Sequence, residues 1–97
     1  MSSEDLHAPR ERLSNQTLAA HSVIVALMEE MEAMDWYRQR ADDADDAELK
    51  VLVCNMNNEM ENAAVMIEWL RRNVTEFATQ LTKFLDREGS IAAPGPT

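Results

Sequence analysis

Between Pro9 and Gly89 the chain contains neither proline nor glycine. A sheet protein needs a turn every few residues, and turns draw on those two residue types. Helix interiors exclude both, because glycine adds backbone entropy and proline removes a hydrogen bond. The uninterrupted stretch therefore predicts an all-α fold, and 97 residues leave room for one domain.

Periodicity divides the stretch. Residues 1–12 form a polar, flexible N-terminal arm, and 13–88 the helical part. The first helix is expected from about Leu13 to Arg40, with Ser14 or Asn15 as its N-cap and Arg38 and Arg40 suiting its C-terminal dipole. Residues 41–47, rich in aspartate, form the turn, and Asp45 or Asp46 caps the second helix, about Ala47 to Arg72. Asn73 breaks or kinks it. A short third helix, about Thr75 to Arg87, carries Phe77, Leu81, Phe84 and Leu85 on one face and is stopped by Gly89. The Ala/Pro/Gly-rich tail, 89–97, is expected to be disordered.

The two long helices fold back as an antiparallel hairpin, each roughly 40 Å long at 1.5 Å per residue. Their seams are apolar with one exception each. Leu49, Leu52, Met56, Glu59, Ala63, Met66 and Leu70 recur at alternating spacings of three and four, and Glu59 interrupts the pattern. Val23, Leu27, Glu30, Met34 and Tyr37 repeat the anomaly at Glu30. A carboxylate on a packing seam must find a cation, a hydrogen-bond network or a metal, or take up a proton. Both glutamates fall roughly 20 Å from the turn, so they face each other.

A single hairpin cannot bury two such seams together with Ile24, Val25, Met28 and Met31 on one helix and Val51, Val53, Met60 and Ile67 on the other. Two copies related by a two-fold axis complete a four-helix bundle to which each contributes Glu30 and Glu59. Four carboxylates in a bundle core suit a di-iron site. The usual arrangement adds a histidine three residues after two of the glutamates. Here Asn62 stands three residues after Glu59, offering a carbonyl oxygen and no imidazole nitrogen.

Charge narrows the partners. Eighteen acids against nine bases give −9, which excludes ordinary nucleic-acid binding and favours cations. Cys54 is the only cysteine, so no intrachain disulfide forms. No run of about 18 apolar residues exists to span a membrane. The polar start does not read as a secretory signal, and a cytoplasmic location is expected. Soft-ligand copper binding is the rival suggested by Met28, Met31, Met34, Met56 and Met60 near Cys54, although methionines of this kind are usually core filling. Calcium at the acidic turn is a weaker one, since the aspartates lack an EF-hand loop. His7 and His21 are read as uninvolved.

Met28-Glu-Glu-Met-Glu-Ala-Met-Asp-Trp-Tyr37, Asn58-Glu-Met-Glu-Asn-Ala-Ala64 and Ile67-Glu-Trp-Leu-Arg-Arg-Asn73 together resemble the encapsulated ferritins, small helical half-ferritins that work inside encapsulin shells. The resemblance runs from the arm to Gly89. It implies a ferritin-like hairpin with a short C-terminal helix, dimers assembled into a ring, commonly a decamer, and a location inside an encapsulin nanocompartment. It also implies a ferroxidase centre shared by two chains, where Fe(II) is oxidised for storage in the shell. Glu30 and Glu59 match the two glutamate ligands, and Asn62 takes the place of the family histidine. Glu29, Glu32 and Trp36 match a metal access path, and Tyr37 a tyrosine near the ligands. Cys54 and Asn58 stand where relatives often have His and Glu of an outer-surface metal site, of which only Glu61 remains. Both departures weaken the metal chemistry, so the alternative is a structural or metal-binding subunit, natural or engineered, that keeps assembly and has lost catalysis. Relatives carry a Leu/Gly-rich C-terminal targeting peptide, and Gly89-Ser90-Ile91 only faintly resembles it.

Overall fold

A computed structural model describes residues 6–92. A short 3-10 turn, Arg10–Arg12, precedes three α-helices: α1 (Asn15–Asp43), α2 (Asp46–Asn73) and α3 (Thr75–Phe84). The expectations for residues 1–5 and 93–97 lie outside the described residues.

Ser14 is the N-cap of α1. Its backbone is extended, and its Oγ accepts the Thr17 N–H at 3.1 Å, satisfying one of the amides that a helix start leaves unpaired. The helix runs three residues beyond the expected Arg40, because Ala41-Asp42-Asp43 contains no breaker and Ala41 packs at 8% exposure. The turn is thereby reduced to Ala44 and Asp45, both extended. Asp46 and Glu48 occupy the first turn of α2 and Arg71 and Arg72 its last, each with the sign that complements the helix dipole.

α2 ends at Asn73, and extended Val74 alone separates it from α3. Three hydrogen bonds hold this corner. Val74 N–H reaches the Leu70 carbonyl at 2.8 Å, Asn73 Nδ2 reaches that of Trp69 at 2.8 Å, and Gln16 Nε2 donates to the Asn73 carbonyl at 2.7 Å. The last of these ties the start of α1 to the end of α2 and fastens the open end of the hairpin. α3 stops at Phe84, three residues before the expected Arg87, and Gly89 is not its terminator. The chain reverses at Asp86 (φ 53°), a conformation aspartate tolerates better than most residues, while the Arg87 guanidinium donates to the Thr82 carbonyl at 3.1 Å. Gly89 (φ 90°) makes a second bend beyond.

The seams are those predicted. Val23, Leu27, Glu30, Met34 and Tyr37 on α1, and Leu49, Leu52, Met56, Glu59, Met66 and Leu70 on α2, are all half-buried or buried. Yet only Ala41, Ala63 and Leu70 are buried outright among the described residues. Ile24, Met28 and Met31 on α1 and Val51, Met60 and Val65 on α2 are exposed. A radius of gyration of 17.0 Å compares with about 13 Å for a compact globule of this size. Two helices have one contact line between them, and the remaining apolar surface stays in solvent.

Near the end of α2, Glu68 accepts a fork from Arg71 (Nε at 2.7 Å, Nη2 at 2.6 Å) and a third hydrogen bond from Arg72 Nε at 2.6 Å. These guanidinium hydrogen bonds lower the Glu68 carboxyl from 4.5 to about 2. A lowered carboxyl stabilises the fold above its unfolded value, and that contribution is lost as pH falls toward about 2. An NMR titration is expected to show Glu68 protonating near pH 2, with the difference from an ordinary glutamate abolished in the Arg71→Ala, Arg72→Ala double variant. Leu70→Ala, which empties the best-buried side chain at 4% exposure, is expected to cost about 2–5 kcal/mol in urea unfolding at fixed protein concentration.

Candidate metal centre

The hairpin register sets the level of the two seam carboxylates. Glu30 lies 13 residues before Asp43 at the end of α1 (43 − 30), and Glu59 lies 13 residues after Asp46 at the start of α2 (59 − 46). At 1.5 Å per residue both stand roughly 20 Å from the turn. A side-chain contact crosses the hairpin at this level: Asn62 Nδ2 donates to Glu30 Oε1 at 3.5 Å. The distance is long for an amide–carboxylate hydrogen bond, so the contact is a weak one.

The other oxygen of Glu30, Oε2, is buried and has no hydrogen-bond partner. A carboxylate oxygen held out of water without a partner is costly, and folded proteins rarely tolerate one without a use for it. Glu59 is half-buried on the facing seam. The donor atoms at this level are therefore carboxylate and amide oxygens. His21 is nine residues from Glu30 along α1, and Cys54 is exposed. Such a set fits iron and other oxygen-seeking divalent ions. Among the described residues, however, no three His, Cys, Asp or Glu side chains come together to hold a metal ion, the aspartates of the turn included. One chain presents half a site at most.

Around it, Glu29, Glu32 and Trp36 lie exposed on α1, with Trp36 at 50%. Tyr37 is half-buried and carries the Arg40 guanidinium over its ring, 5.6 Å from the centroid. Glu61, Asn58 and Cys54 are exposed on α2. Of the methionines, Met28, Met31 and Met60 are exposed, and Met34 and Met56 are half-buried in the seams. Two features were not legible in the sequence. The Asn62–Glu30 contact depends on rotamers across the hairpin, and the Gln16 fastening joins residues 57 apart.

The all-helical hairpin, with Glu30 and Glu59 at one level of its seams, is a ferritin-like fold. The EncFtn-like family model matches residues 5–88, and the chain belongs to the encapsulated ferritin-like family. It is 46% identical over 93 residues to the encapsulated ferritin-like protein of Rhodospirillum rubrum, covering 95% of this chain and 66% of that protein, so it spans just under two thirds of that relative's length. A ferritin-like protein of Thermotoga maritima is 35% identical over 83 residues, covering 84% of this chain and 73% of that protein. In three dimensions the hairpin superposes on the crystal structure of a protein from Nitrosomonas europaea with a TM-score of 0.82 at 38% identity, over 91% of this chain and 98% of that one. No helix among the described residues is long and apolar enough to cross a membrane.

If the unpaired Glu30 oxygen is held for a ligand, it burdens the metal-free chain. Glu30→Leu is expected to raise stability in the presence of a chelator, by roughly 1–3 kcal/mol, the usual cost of an unsatisfied polar group. Thermal unfolding measures it, and a lowered Tm would show that the charge is already compensated.

Proposed function

We propose that the protein handles iron as a ferroxidase subunit, binding Fe(II) between two copies and passing Fe(III) on for storage. The observation that carries this reading is the buried, unpartnered oxygen of Glu30 at the level of Glu59. Two-fold pairing of the hairpin brings two such half-sites together and covers the exposed Ile24, Met28 and Met31 stripe.

Four carboxylates carry four negative charges, which balance two Fe(II) ions. Dioxygen takes one electron from each iron and two protons from water, and leaves as hydrogen peroxide. The two Fe(III) ions then carry two positive charges beyond what the carboxylates neutralise. That excess charge acidifies iron-bound water and so favours hydrolysis of the product toward mineral. By the family resemblance, Glu29, Glu32 and Trp36 supply an approach for the cation, Tyr37 lies near the ligands, and Glu61 marks a remnant outer site. The net charge of −9 draws cations toward all of these. By kinship with the encapsulated ferritin-like proteins, the working assembly is a ring of dimers, a decamer, inside an encapsulin shell.

Asn62 favours a second reading. It replaces the only nitrogen donor of the half-site, and a chain so altered can persist as a structural, metal-binding subunit with no turnover. Fe(II) oxidation in air, followed by absorbance with size-exclusion mass on the same sample, separates the two. The expected result is oxidation well above the protein-free rate, reduced to background in Glu30→Ala and Glu59→Ala, with Asn62→His faster than the parent. A background rate from an intact oligomer selects the structural subunit.

A further inference from the structure

In the metal-free chain the exposed amide of Asn62 turns its nitrogen toward Glu30. Its Nδ2 lies 3.5 Å from Glu30 Oε1, and exchanging nitrogen for oxygen would set two acceptors against each other with no proton between them. The amide thus holds Glu30 by one oxygen and turns its own carbonyl oxygen away from that carboxylate. Oε2, buried and unpartnered, is the Glu30 oxygen left for an ion.

We infer that Asn62 is a positioning and selectivity residue and not a metal ligand: it orients Glu30 through Oε1, so that paired half-sites present carboxylate oxygens alone and discriminate against borderline-soft ions such as Zn(II). The inference rests on the metal-site reading above and names the class of ion that the site admits. Imidazole nitrogen favours Zn(II), whereas carboxylate and water oxygens suit Mn(II) and its neighbours. Zn(II) still binds more tightly than Mn(II) at most sites, so the discrimination lies in a compressed ratio of the two affinities. For a subunit that must admit Fe(II), a site that Zn(II) blocks less readily is an advantage independent of turnover rate.

The test measures equilibrium binding of Mn(II), an air-stable stand-in for Fe(II), and separately of Zn(II). It uses the full chain at matched oligomeric mass, in the parent and in Asn62→His, Asn62→Ala and the double variant Glu30→Gln, Glu59→Gln. Asn62→His is expected to raise Zn(II) affinity at least tenfold while Mn(II) affinity moves less than about threefold. Asn62→Ala, which removes an orienting partner, is expected to weaken both ions alike, about tenfold or more, and to leave their ratio unchanged. In a crystal of the Mn(II)-loaded parent, Glu30 Oε2 should bond the ion and the Asn62 amide nitrogen should remain on Glu30 Oε1. Asn62 Oδ1 bonded to the ion, or a Zn(II)/Mn(II) ratio unmoved by Asn62→His, overturns this inference and leaves the metal site standing. Mn(II) binding undiminished in the double variant overturns the metal site itself, and the inference with it.

Discussion

The alignment of α1 against α2 is the constraint on which the other features depend. An antiparallel helix pair has a single line of contact, and its register is set wherever the chain turns. Here the turn is two residues, Ala44 and Asp45, so there is no slack by which one helix could slide past the other. Small side chains at Ala41 and Ala63 let the helices approach along that line, and Leu70 fills it near the far end. Gln16, donating to the Asn73 carbonyl, fastens the open end. With both ends tied, Glu30 and Glu59 have no freedom over level. Their common level follows from helix rise and turn length, not from any attraction between them.

The same geometry leaves apolar surface uncovered on a single chain. A hairpin buries one stripe of each helix, and these helices carry apolar residues well outside it. Ile24, Met28, Met31 and Met60 are between 37% and 45% exposed, on a chain that buries only three of its described residues outright. On the proposed reading, a second copy that covers that apolar surface also completes the ligand set. Assembly and site formation are then a single event. Iron would bind poorly to isolated chains, and bound iron would tighten the dimer by mass action.

Much of the fold was legible from the sequence because it rests on local rules. The Pro- and Gly-free stretch, the seam spacings and the Ser14 cap each depend on residues within a turn or two of one another. The level of Glu30 and Glu59 was legible because it needs only rise per residue and a short turn. Helix ends were less so. Asp42 and Asp43 look like turn residues, yet they continue α1 because Ala41 is anchored beneath them. Gly89 looks like a helix stop, yet the reversal comes at Asp86, where the Arg87 guanidinium takes up the Thr82 carbonyl. In both cases a tertiary or side-chain contact overrode a local preference. The pairing of Asn62 with Glu30 belongs to the same class. Sequence spacing showed that Asn62 occupies the slot of a ligand, but not which edge of its amide faces the carboxylate.

That edge changes what the asparagine means. Read as a ligand, Asn62 is a poor substitute for histidine, and the half-site is damaged. Read as a donor, it is the group that holds Glu30 in place before any ion arrives. A carboxylate already oriented loses less entropy on binding, so preorganisation recovers part of the affinity given up with the nitrogen. The cost falls on the metal-free fold, which must carry an unpaired buried oxygen at Glu30. A seam optimised for stability alone would place leucine there; on the proposed metal-site reading, glutamate in this otherwise apolar line trades stability for binding.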